Sequence, residues 1–458
     1  MSHPLGSQER PLRVAIIGSG PSGFYSIQSL FQSGTNVKID MFDKLPSPYG
    51  LVRYGVAPDH PKIKNVIKVY EKMAEDTRFS FFGNVNVGKD ISVNELKTFY
   101  DAIIFCSGAE TDRKLGIEGE YLRNSHTATE FVAWYNGHPV FKDRHFDLSK
   151  ETAIIVGQGN VALDVARILC KTADELKSTD IAQHALQELA QSKIKEVHVF
   201  GRRGPAQAAF TPVEIREFGE LADCDPVIDP NDLILNEASQ KELEDPKNAP
   251  KKKNFEIIQE LAKIGNRGKS RKFFLHFRKS PVEILGAGQV EKVVFEKNRL
   301  QGEAGLQKAI STGEKETFNC GIFFRSVGYR GLPIKGLPFH DQSGVIPNQH
   351  GRVCDSEQIF LGLYVAGWIK RGPSGIIGTN KPDAEETVKN LIEDLPHLKP
   401  CHNPSSEAVL ELLKSQHVRV VNFQDWKKID AAEIANGQKI GKPREKFISV
   451  HDMLSVLR

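Results

Sequence analysis

The chain has 458 residues, 40% of them hydrophobic, and a formal net charge of +3, which allows two or three domains with separate cores and leaves no global field to draw in nucleic acid. No run approaches the roughly 18 consecutive apolar residues of a membrane span, and the N-terminus carries neither a long apolar run nor an Arg/Ser-rich amphipathic stretch, so a cytoplasmic protein is expected. The six cysteines, at positions 106, 170, 224, 320, 354 and 401, include no close pair, which argues against a CxxC redox couple, a cysteine-held iron-sulfur cluster and a structural metal site.

In chain order, the strand-like run Arg13-Val14-Ala15-Ile16-Ile17 leads into Gly18-Ser19-Gly20-Pro21-Ser22-Gly23, and the next such run, Val37 to Phe42, ends at Asp43, twenty residues after the last glycine. A strand, a glycine-rich turn and a helix let a pyrophosphate approach the helix N-terminus, while the carboxylate accepts hydrogen bonds from ribose hydroxyls. Gly18, Gly20, Ser22, Gly23 and Asp43 are therefore the expected contacts of FAD. The unit closes with the strand Asp101 to Phe105 and the turn Cys106-Ser107-Gly108-Ala109.

A second unit follows from about residue 112. Thr152 to Val156 leads into Gly157-Gln158-Gly159-Asn160-Val161-Ala162, but the next strand, Val197 to Phe200, ends in Gly201-Arg202-Arg203 with no carboxylate. Two arginines in the place of the ribose acid suit a 2′-phosphate. Gly157, Gln158, Gly159, Asn160, Val161, Arg202 and Arg203 are thus expected to hold NADP(H), across a 39-residue gap filled by a charged, helix-like insert at about 171–195. The unit ends in the strand and turn Gly321 to Tyr329, and the run Ile359 to Trp368 reads as a strand returning to the first domain. The fold class is α/β with two Rossmann-like dinucleotide-binding domains: a discontinuous FAD domain, 1–111 and 336–458, around an NADP domain, 112–335. From about 404 the pattern is amphipathic and mostly helical, with no visible chemistry.

Four longer segments resemble adrenodoxin reductase and its bacterial relatives, the ferredoxin-NADP+ reductases of the glutathione-reductase-like fold: Ser47 to Pro61, Gly157 to Leu169, Gly201 to Phe210 and Val365 to Thr379. The likeness covers nearly the whole chain, and the tail from Lys427 to Arg458 resembles the bacterial branch. Two departures are Asp43, where the family usually has Glu, and Ser22, where Ala is common; both residues can still serve a dinucleotide. The resemblance implies that His60 and Glu214 pair across the domain interface and position the nicotinamide, with Asp164 also on that side. It further implies FAD contacts at Leu51, Val87, Trp368, Gly375, Ile376, Ile377 and Thr379, with Glu214 and Gly375 also at NADP. Residues 375 to 379 should open the last helix of the FAD domain and aim N–H groups at the flavin.

With no CxxC, electrons must leave the flavin to another molecule. The function implied is an FAD-dependent reductase moving hydride between NADPH and FAD and single electrons between FAD and a ferredoxin-type iron-sulfur protein, acting as a monomer. A non-catalytic FAD/NADP-binding sensor and the NADPH-oxidising subunit of a larger flavoenzyme are the alternatives. Eleven Lys and Arg against two Glu between Lys247 and Lys279 give a local +9, expected to dock an acidic ferredoxin.

Overall fold

The computed structural model describes residues 3–356 and 358–458. Leu12–Ile17 and its parallel neighbours Val37–Phe42 and Ala102–Phe105 form the middle of a seven-stranded sheet. Both faces are covered, so these strands are continuous apolar runs rather than alternating ones. Val14 and Ile16 face one core and Ala15 and Ile17 the other. Phe79–Phe82 closes one edge; on the other side Gln358–Val365 lies parallel to Ala102–Phe105, with Leu363 opposite Ile103, so the chain does return to its first sheet. It continues outward as the antiparallel strands Arg352–Asp355 and Asn348–Gln349.

The second sheet takes six strands, in the order Ser125–Thr127, Ile322–Arg325, Thr152–Val156, Glu196–Phe200, Arg271–His276 and Cys224–Val227, all parallel. A three-stranded antiparallel sheet, Lys279–Leu285, Lys292–Gln301 and Lys308–Asn319, packs against it. Where the chain leaves and re-enters the first unit, Thr111–Asp112 and Tyr329–Arg330 pair antiparallel, so the two crossings form one ladder.

Two segments have more to do than their sequence suggested. The insert folds as Ala173–Leu176, started by a reciprocal Thr172/Glu175 capping box, and Gln183–Ala190. The C-terminal helices cover both faces of the first sheet: Val409 and Leu413 of Ser406–Ser415 join one core, Trp426 and Ile429 of Phe423–Gln438 and Met453 of Val450–Ser455 the other. Glu433, fully buried, accepts two hydrogen bonds from Arg53 at 2.6 and 2.8 Å, and the Arg53 guanidinium lies over Tyr54 and Trp426 at 4.9 and 5.0 Å. Lys446 and Lys64 both pair with Asp180 of the insert, at 3.1 and 2.7 Å, joining the tail and the first unit to the second. The tail thus has a structural part that its amphipathic pattern did not show, since Glu433 and Lys446 face partners more than 200 positions away.

Candidate active site

The two glycine turns divide their labour alike. Gly18, at φ +108°, and Gly157, at φ +134°, bring the chain so close to Cys106 and Ser326 that an added Cβ would sit 2.4 and 2.1 Å from a carbonyl oxygen. Only glycine fits there. At Gly20 and Gly159 a Cβ would meet nothing within 4 Å, and each is the N-cap of its helix, Pro21–Gln32 or Asn160–Cys170. The space on the Cβ side of each N-cap is thus open, as a pyrophosphate approaching the helix N-terminus requires. Gly23 allows close helix packing, since its Cβ would lie 2.3 Å from the Gly18 oxygen. The residues present thus fit a dinucleotide at both turns.

Asp43 accepts from the Ser19 N–H and hydroxyl through one oxygen and from the Leu45 N–H through the other. Burial pushes its carboxyl up despite those bonds. Ser22 bonds Asn380 at 3.0 Å, tying the first helix to Asn380–Asp394. Tyr49, at φ +84°, and Gly50 fold the chain over the first turn, with the Tyr49 N–H on the Ser19 carbonyl at 3.0 Å; a bulky residue held at positive φ is strained backbone beside a site. Leu51 starts the short helix that follows and is partly exposed, and Val87 lies in a turn bridged to Ile91.

Trp368 packs against Tyr329 at 5.3 Å and donates its Nε1 hydrogen to the Ser374 carbonyl. Gly375, Ile376 and Thr379 are exposed, whereas Ile377 is half-buried. Residues 375 to 379 do lead into the helix: Ile377–Thr379 is a 3-10 turn that runs directly into Asn380–Asp394, with Thr379 at its N-cap. Thr379 spends its hydroxyl on the Ile376 carbonyl, 2.6 Å away.

On the second turn, Gln158 donates to the His276 carbonyl at 2.9 Å in the space left by Gly201, and Asn160 accepts from the Thr211 N–H at 2.8 Å, fixing the loop that carries Glu214. Val161 packs against the core. Arg202 is exposed and Arg203 half-buried; among the described residues neither has a carboxylate within 4.0 Å, although their backbone oxygens are held by Asn298 and Arg278.

Between the units, His60, Asp164 and Glu214 come together around a residue that sequence reasoning missed. Arg167, fully buried, bonds Asp59 at 2.8 and 3.0 Å, Asp164 at 2.7 Å and Glu214 at 3.0 Å, and lies 3.1 Å from Glu217. Lys171 adds a second cation on Asp59 at 2.7 Å. The expected His60–Glu214 pair is looser than a hydrogen bond, 3.8 Å, and the partner of His60 Nε2 is Glu217 at 2.9 Å. Glu217 lies one helical turn beyond Glu214, a spacing that could have flagged it. Burial and the Asp164 charge raise the Glu214 carboxyl to about 7, against the pull of Arg167 and His60. Burial would lower His60, but its bond to Glu217 and the charges of Glu214 and Asp59 outweigh that and raise it. Asp59 is held well below the usual carboxylate range, its burial outweighed by Arg167 and Lys171. Two groups, both held toward their protonated forms, thus face each other between the units, 3.8 Å apart.

Two dinucleotide folds, one with an acid and one with an arginine pair, meeting at a titratable cluster, define a pyridine-nucleotide-linked oxidoreductase. Residues 12–200 match the pyridine nucleotide-disulphide oxidoreductase family model. The chain is 45% identical to NADPH-ferredoxin reductase FprA of Mycobacterium tuberculosis, covering 98% of this chain and 99% of that one, and 42% identical to the mitochondrial NADPH:adrenodoxin oxidoreductase of Homo sapiens, covering 99% and 94%. A solved structure of the mycobacterial FprA with NADPH superposes with a TM-score of 0.91 at 45% identity over 98% of this chain and 99% of that one. The chain belongs to the family of NADPH-ferredoxin and NADPH:adrenodoxin reductases.

The basic stretch is partly neutralised by carboxylates near it in space. Five of its eleven cations are paired: Lys251 with Glu242, Lys253 with Glu256, Arg267 with Asp225, Arg278 with Asp232 and Lys279 with Glu316. Lys269 and Arg271 donate to backbone carbonyls. Four of those five carboxylates lie outside the stretch, so a count along the sequence could not see them. No helix among the described residues is long and apolar enough to cross a membrane.

Proposed function

We propose that the protein is an FAD-dependent NADPH-ferredoxin reductase, with the FAD domain bounded at 1–111 and 336–458 and the NADP domain at 112–335. Bound FAD would supply the step between a two-electron donor and a one-electron carrier. The chain's own part is positional. The first turn and Asp43 hold one dinucleotide, the second turn with Arg202 and Arg203 holds the other, and His60 with Glu214 and Glu217 orients the nicotinamide end and keeps a proton at hand where the two meet. The observation that carries this is that one chain provides both turns and a shared buried cluster between them. The test is rapid bleaching of the flavin by NADPH, followed by cytochrome c reduction only when a ferredoxin is added. A flavin that NADPH leaves oxidised would favour the sensor instead.

If His60 and Glu214 act in one network, His60→Gln and Glu214→Ala should each slow stopped-flow flavin reduction without loss of FAD, and the double variant should lose less than the two losses combined. Full additivity would separate their roles.

The partner is an acidic iron-sulfur protein met by a monomer in the cytoplasm. Lys247, Lys252, Lys263 and Lys272 support the acidic partner, since among the described residues no carboxylate lies within 4.0 Å of any of them. Reversing these four charges should lower ferredoxin-dependent turnover at low salt and flatten its salt dependence while ferricyanide reduction is kept. Turnover and salt dependence left unchanged would move the docking surface elsewhere.

A further inference from the structure

Arg167 has no part in the roles above, yet among the described residues no other guanidinium touches so many carboxylates. It projects from the second fingerprint helix, and its side chain has no exposure to solvent. Its acceptors come from three places: Asp59 from the first unit, Asp164 from its own helix, and Glu214 and Glu217 from the segment after the second fingerprint. Asp59 immediately precedes His60, so the same contact that joins the units sets where the imidazole sits. Breaking a buried, hydrogen-bonded ion pair leaves charges uncompensated, and such an arrangement is held tightly or not at all.

We propose that Arg167 is a positioning residue: resting on the function proposed above, its guanidinium fixes His60 against Glu217 and Glu214 across the cleft and sets how firmly that group holds its protons. The charges facing it bear this out. Four carboxylates against Arg167 and Lys171 leave the cluster formally at −2, and protons on His60 and Glu214 bring it to neutrality. Buried charge favours that neutral state. Two tyrosines stand beside the cluster: Tyr135, whose buried hydroxyl has no hydrogen-bond partner among the described residues and which senses Asp164, Arg167 and Asp59, and Tyr329, which senses Asp164. The cation that four converging carboxylates would otherwise attract is thus part of the chain.

The test follows the His60 resonance by NMR of histidine-labelled oxidised holoenzyme, assigned with His60→Gln. Arg167→Gln removes a repelling cation and should raise the His60 midpoint by about one pH unit; Glu217→Gln leaves an acceptor for Nε2 but removes its negative charge, and should lower the midpoint by about as much. Arg167→Lys keeps the charge but cannot span four carboxylates, so it should move the midpoint less while cutting flavin reduction roughly tenfold with NADPH affinity retained. Should Arg167→Gln fail to retain FAD, Glu217→Gln and Arg167→Lys decide by the same measures. Unmoved His60 midpoints, shifts of one sign in both charge-removing variants, or a wild-type rate in Arg167→Lys would overturn the proposal. The midpoints need no NADPH, so a flavin that NADPH fails to reduce would count against the proposed function alone.

Discussion

Replacing Arg202 and Arg203 together with alanine should weaken NADPH by about 3–6 kcal/mol, on the order of 10² to 10⁴-fold, and leave NADH nearly untouched. Each guanidinium would give a 2′-phosphate charge-assisted hydrogen bonds worth about 1.5–3 kcal/mol. Both arginines follow the strand Glu196–Phe200, where a ribose acid would stand, and among the described residues no carboxylate within 4.0 Å competes for either. Their backbone is anchored through Asn298 and Arg278 rather than through their side chains, so truncation leaves the turn in place. Steady-state KM values for both nucleotides decide it: equal losses for NADPH and NADH would show that the pair does not read the phosphate.

The second large effect is on stability. Glu433→Gln removes the charge that faces Arg53 and leaves a guanidinium enclosed by Tyr54 and Trp426 without its counter-ion. Burial works against the Arg53 charge, and Glu433 outweighs it. Removing one partner of a buried pair costs about 3–5 kcal/mol, far more than a surface pair contributes. Urea unfolding should show a lower midpoint at unchanged slope. A loss under about 1 kcal/mol would mean that water or Asp430 takes over the role.

What the sequence disclosed was local. The fingerprint turns, the acid at position 43 and the arginines at 202 and 203 are set by spacing within a strand-turn-helix, so they could be read from neighbours alone. The return of Gln358–Val365 to the first sheet was also legible, because a short apolar run ending in glycine has few other uses in this fold. Arg167 was not. Three residues after Asp164, it reads as an ordinary charge of an amphipathic helix, and its other acceptors stand at 59, 214 and 217. The basic stretch shows the converse: its charge can be counted along the chain, but its counter-charges, such as Glu242 and Asp225, come from elsewhere, so the local excess is smaller than the count. The tail's hydrophobic face was visible, but not that Glu433 would be buried against Arg53.

The position of Gln358–Val365 in the first sheet has a consequence for synthesis. Ala102–Phe105 needs this strand as its neighbour, yet some 250 residues separate them. At about 5–20 residues per second, the ribosome leaves that strand edge without its partner for roughly 10 to 50 s, while every strand of the second sheet, from Ser125 to Arg325, emerges in between. The second unit can therefore complete itself first, and the first closes onto it afterwards. An unpaired edge in a nascent chain invites wrong pairing, so this interval is where the protein is most exposed to aggregation.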